Sequence, residues 1–340
     1  MSRRALLFPA LAALVLAAVA IALASGPLTL TGADALRVLL HPASAAPEQV
    51  AAVLDIRLPR AVLALLVGAV LALSGTVMQA LFRNPLAEPG LVGISSGAAL
   101  FAAAALVLGG WIAPLDAIPQ RAWLPVAAFA GALAATALVL RLALVDGVAR
   151  AANLLLAGLA INAIAGAGVG LLSYIASDRA LRAVMFWLFG SLGKAGWPEI
   201  AFGAPLLLAT IVLLPRQARA LDALLLGEAE AGHLGVDVER LKRRCVLLIV
   251  LGVGTAVSLS GVISFVGLVV PHLLRLRMGP GHRALLPASA LLGGGLLLLA
   301  DTAARTWAMP ADMPVGIFTA LIGGPFFLAL LARHRRDAAL

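Results

Sequence analysis

Residues 245–274 read CVLLIVLGVGTAVSLSGVISFVGLVVPHLL, about 30 residues without a charged side chain. A bilayer core is crossed by roughly 20 helical residues. The stretch is therefore either one long tilted helix or an ordinary span, 245–260, followed by a short one, 262–274. The choice decides which side of the membrane every flanking loop faces, and so the topology of the whole chain.

That a membrane is involved follows from composition. Hydrophobic residues make up 62% of the 340 and charged residues 12%, half the share of an average soluble domain, about 25%. Apolar windows bounded by charge or Pro/Gly clusters lie near 5–24, 61–81, 91–110, 123–144, 153–175, 199–215, 245–260, 262–274, 284–303 and 315–332,. The class is an all-α polytopic membrane protein with about ten transmembrane helices. Residues 1–340 read as a single transmembrane domain with a polar cytoplasmic segment near 216–244.

Lys and Arg collect in short cytoplasmic loops, and this decides the split. With ten spans and the N-terminus inside, Arg3, Arg4, Arg83, Arg141, Arg150, Arg216, Arg219, Arg240, Lys242, Arg243, Arg244, Arg275, Arg277, Arg283, Arg333, Arg335 and Arg336 face inward, 17 of the 25 basic residues. Treating 245–274 as one span moves six of these arginines outward and only Arg305 inward. Ten spans with both termini cytoplasmic is the favoured arrangement. The N-terminal run from Ala5 to Ala24 has the length of a span, longer than a secretory h-region, and reads as a retained first helix.

The same topology places RLPR, residues 57–60, on the outer side. A cytoplasmic anchor explains little there, leaving two readings: a pair snorkelling to lipid phosphate, or a binding site. Inside, RQARALDALLLGEAEAGHLGVDVERLKRR (216–244) carries apolar helix formers broken at Gly227 and near Gly235, the pattern of two short helices and of a docking element. Between the second and third spans, FRNPLAEPGLVG breaks the helix at Pro85 and Pro89,. Irregular backbone at that depth is tolerated where it is buried in protein or lines a cavity.

Signs of chemistry in the chain itself are lacking. GSLGKAG (190–196) has no P-loop spacing, the five histidines are scattered, and Cys245 is alone,. No metal, catalytic or cofactor site is expected, and no basic–aromatic run suits nucleic acid. The net charge of +9 suits anionic membrane lipid or acidic proteins.

RLPRAVLALLVGAVLALSGTVMQALFRNPLAEPGLVGISSGA, LLLAG, FWLFGSLG, LGEAEAGHLGV, LSGVISFVGLVVPHLLRL and ADTAARTWAMPADMPVGIFTALIGGPFF resemble the FecCD-type permeases, membrane subunits of type II ABC importers for haem, ferric siderophores or vitamin B12. The resemblance runs from about residue 50 to the C-terminus. It implies a two-fold homodimer in the bacterial inner membrane, two cytoplasmic ATPase subunits that hold ATP and Mg, and a periplasmic binding protein. By resemblance, Arg57, Arg60 and Arg305 dock the binding protein. Gly227, Glu228, Ala231, Leu234 and Gly235 match the ATPase-coupling motif, and Asn84 and Leu86 match a gate. A second gate, where the vitamin B12 permease has small hydroxyl residues, falls on Ala151 and Ala152. SDRALRAVMFWLFGSLGKAGW is similar to a stretch common in haem permeases, which puts haem first as cargo, with siderophore and cobalamin as alternatives. A secondary carrier working without ATPases is the rival from another class, and a membrane-embedded enzyme is a third. Tyr174, Met185, His272 and the other histidines are candidate haem-iron ligands, with packing as the competing role.

Overall fold

The computed structural model describes residues 3–109, 120–145, 148–149, 151–309 and 311–337. In chain order the helices are α1 (Arg3–Ala24), α2 (Gly32–Leu40), α3 (Pro47–Leu81), α4 (Ile94–Leu108), α5 (Gln120–Ala143), α6 (Ala151–Ile175), α7 (Asp178–Leu188), α8 (Trp197–Leu213), α9 (Ala218–Leu224), α10 (Glu228–His233), α11 (Val238–Ser260), α12 (Val266–Met278), α13 (His282–Trp307) and α14 (Val315–Asp337). One pair of two-residue strands, Leu144–Val145 with Val148–Ala149, forms a small antiparallel hairpin between α5 and α6. Arg150 lies outside the described residues.

Among the described residues, α1, α3, α5, α6, α8, α11 and α13 supply seven stretches long and apolar enough to cross a membrane, and Ile94–Leu108 and Val315–Ala329 are shorter apolar helices. With α12 these occupy the ten expected places. The division of residues 245–274 is explicit: α11 ends at Ser260, Gly261 turns at φ 69° and Phe265 at φ 70°, and α12 begins at Val266. Two left-handed residues in a row of five stop the helix where a continuous tilted span would have needed it to run on.

The helix bearing RLPR differs from the expected span at 61–81. It runs unbroken from Pro47 to Leu81, about 50 Å at 1.5 Å per residue. Pro59 has no N–H and its ring would meet the carbonyl one turn back. Residues Ala51–Arg57 answer this with a π turn, the Leu58 N–H donating to the Val53 carbonyl,. The connections after α1 and α6 also contain helices. α2 starts with a Thr31/Asp34 capping box and buries Ala35 and Val38,. α7 starts from a Ser177 cap.

α3 is the centre of the bundle, packed against α8, α11, α12 and α13, with 83% of its apolar window buried. Lipid is as apolar as leucine, so close backbone approach rather than hydrophobic transfer drives such packing. A Cβ on Gly75 would lie 2.0 Å from the Gly267 carbonyl oxygen, and one on Gly68 2.3 Å from that of Gly293. Thr76 donates to the Ala72 carbonyl and lies 2.9 Å from the Ser289 hydroxyl of α13. Gly75→Leu should therefore cost about 3 kcal/mol or more, the upper end for over-packing, and abolish the monodisperse peak in size-exclusion chromatography. Gly32→Ala, where an added Cβ meets nothing within 4 Å, should leave it intact.

Candidate functional sites on the two faces

The ends of α1 and α13 meet α3 beside Pro59 on one face and bring Arg57, Arg60 and Arg305 together. Their immediate partners are internal. The last carbonyls of α1 have no intrahelical donor, and each finds one. Ser25 N–H donates to Ile21, Arg305 Nη2 to Ala22 (2.5 Å), and Arg57 Nη1 to Leu23 (2.7 Å) and Ala24 (2.9 Å). Arg57 Nη2 reaches the Leu28 carbonyl as well. Two cations at a helix C-terminus also oppose its dipole. Arg57 is only 4% exposed, so in this state its fork is directed at the end of α1.

Arg60 makes two forked pairs. Its Nε and Nη2 bind Asp301 at 2.8 and 2.9 Å, and its Nη1 and Nη2 bind Asp312 at 3.0 Å each. Asp301 is buried, whereas the Asp312 side chain is 48% exposed. One carboxylate is thus structural and the other is open to competition from solvent. Neither acid is marked by its local sequence, since the two lie 241 and 252 residues from Arg60.

On the opposite face α9 and α10 form the two short helices expected between residues 216 and 244, with Gly227 at φ 124° and Gly235 at φ 83°. Glu228 opens α10 and pairs with Lys242 Nζ at 2.8 Å, which also holds Glu239 at 3.3 Å. Ala231 is fully buried while Leu225, Leu226 and Leu234 are 40%, 65% and 64% exposed. The three bared leucines make an apolar patch on an otherwise polar segment,. Asp222 of α9 accepts from the His282 backbone N–H at 2.6 Å and lies 2.9 Å from its Nδ1, joining this surface to the start of α13.

The helix break follows α3 on the same face. Asn84 Oδ1 accepts the Leu86 N–H at 2.9 Å, an Asx turn, and Leu86 is 45% exposed. Burial pushes the Glu88 carboxyl in this turn above its usual range,. Ala151 and Ala152 begin α6, and their side chains lie outside the described residues. Among the described residues no group of three or more His, Cys, Asp or Glu could hold a metal. Tyr174 and Met185 are 87% and 37% exposed.

The FecCD transport family model matches residues 14–333. The hemin transport system permease protein HmuU of Yersinia pestis is 52% identical over 284 residues, 84% of each chain. The cobalamin import system permease protein BtuC of Halobacterium salinarum is 46% identical over 285 residues, covering 84% of this chain and 74% of its own. A solved structure described as an inward-facing conformation of a metal-chelate type ABC transporter superposes with a TM-score of 0.84 at 32% identity, covering 96% of this chain and 99% of the other.

The capping geometry is testable without transport. Arg57→Ala leaves three carbonyls without their charged donor, each such bond being worth about 1.5–3 kcal/mol. Hydrogen exchange of the amides at 21–28 should then accelerate at least about tenfold. Arg57→Lys, with a point charge in place of the fork, should recover only part of the protection.

Proposed function

The chain belongs to the FecCD transport family, the membrane permease subunits of ABC importers whose ATPase is a separate chain, and from that premise we propose that it carries haem inward across a bacterial inner membrane. The observation that carries the cargo is the 52% identity to a hemin permease over most of both chains. Cobalamin is the second reading, favoured by the 46% identity to a cobalamin permease. Family membership removes the case for a self-sufficient secondary carrier.

In this reading residues 1–340 act as one permease domain, and two copies pair around the pathway. The support is the unpartnered apolar face of α6, where Leu156, Leu159, Ile164 and Leu171 are each at least 65% exposed. Both termini lie in the cytoplasm, as the basic residues predict, and the face bearing Leu225, Leu226 and Leu234 receives the ATPase. The coupling residues divide the work. Gly227, Glu228 and Gly235 set the shape of α10, Ala231 anchors it, and Leu234 is the contact. Asn84 and Leu86 form an inner gate, with Ala151 and Ala152 closing beside them.

The outer face receives a periplasmic binding protein. Arg60 is the docking contact best supported, because its outer carboxylate, Asp312, is exchangeable for a carboxylate on an incoming protein of matching charge. Arg305 extends the same positive edge. Arg57 contributes by holding the end of α1 against them.

Proteoliposomes containing this chain, its ATPase and its binding protein should accumulate haem only when ATP is supplied. Accumulation of cobalamin without haem would overturn the cargo. Leu234→Asp should lower ATPase-coupled uptake at least about tenfold while leaving the chain monodisperse. Asp312→Asn should tighten the binding protein's association several-fold at low salt and Arg60→Glu should weaken it, the two opposite signs separating competition from misfolding.

A further inference from the structure

A cavity of about 400 Å³ opens between α3, α5, α6 and α11 on the face that carries the coupling helices. Its wall is apolar, with Phe82, Leu133, Leu140 and Val246 among the lining residues, and Lys242 and Arg243 stand at its edge. The transport reading uses none of this space.

Two independent features describe what would fill it. Thr136 lines the cavity and is 1% exposed, yet its Oγ1 has no hydrogen-bond partner among the described residues. A helical threonine ordinarily donates to the carbonyl four residues back, so an unused hydroxyl buried in an apolar wall calls for an acceptor brought in from outside. Arg243 is exposed and has no ion pair among the described residues, and Arg244 beside it is exposed as well. Glu239 stands on the same rim and pairs with Lys242 at 3.3 Å, so the free positive charge there is that of Arg243; the wall offers apolar surface, and a single hydroxyl lies between them. Thr136 is seven residues from the end of α5, about 10 Å along the axis, at the depth where the ester groups of a phospholipid lie below its phosphate.

We propose that this cavity holds one acyl chain of an anionic phospholipid, with the phosphate between Lys242 and Arg243 and an ester carbonyl accepting from Thr136. Charge complementarity at a basic pocket between transmembrane helices selects the anionic headgroup, and the apolar wall selects a lipid over free phosphate. The site touches both halves of the inner machinery. Phe82 leads directly into the helix break at 83–88, and Lys242 is the residue that pairs with Glu228 at the start of α10. A phosphate bound there competes with Glu228 for Lys242, so lipid occupancy adjusts how firmly α10 is tied to α11.

The test uses the full chain in vesicles of phosphatidylcholine, doped with a diazirine-tailed phosphatidylglycerol or the matching diazirine-tailed phosphatidylcholine. Phosphatidylglycerol should label peptides within 133–140 and 246–250 more strongly than phosphatidylcholine, by about fivefold for each basic side chain engaged. Arg243→Gln should remove most of that preference while leaving labelling in place. Ala137→Phe, at an exposed cavity-lining position, should suppress labelling by both lipids at these peptides. Equal labelling by the two headgroups in the native chain would overturn the proposal, as would an unchanged preference in Arg243→Gln even if the phenylalanine variant fails to fold.

Discussion

Where α3 packs on its neighbours, backbone meets backbone rather than side chain. Gly75 meets Gly267 and Gly68 meets Gly293 with no room for a methyl group, so α3 lies directly against α12 and α13. In a lipid environment this contact density replaces the hydrophobic drive that would bury a helix in water. It also limits what can move. Helices joined by interlocked backbones shift together, and one such helix, α3, carries both the arginines beside Pro59 and, after Leu81, the helix break.

α13 is the second long member of that unit. At one end its first residue, His282, is tied to Asp222 of α9, and near the other Asp301 and Arg305 reach Arg60 and α1. The 26 residues between these ends span about 39 Å. A switch that responds on one face to an event on the other needs an element whose position both faces bias. α3 and α13, clamped at Gly68 and Gly293, have the connections for that role.

How legible all this was in the sequence depends on the range of the interaction. The ten helices, the division of residues 245–274 and the two breaks around α10 were readable because each rests on local composition, turn residues or loop charge. The extension of α3 to Pro47 was not, since Pro59 is a sound stop signal and the π turn that evades it has no signature in composition. α2 and α7 escaped hydropathy windows because they are amphipathic surface helices. The partners of Arg60 lie 241 and 252 residues away, and pairing at that separation is decided by folding alone. The lone hydroxyl of Thr136 looks like any helical threonine until its surroundings are known.

The fastening of α1 bears on how the protein is made. Only 22% of its apolar window is buried, and the carbonyl of Ala22 waits for an arginine 283 residues downstream. A ribosome delivers α1 first, Arg57 takes hold of its last two carbonyls early, and Arg305 arrives near the end. Emergence of α13 then secures the oldest segment of the chain. A product cut short before that point keeps a first helix held at its tip by Arg57, with the Ala22 carbonyl uncapped and no α13 to pack its length against.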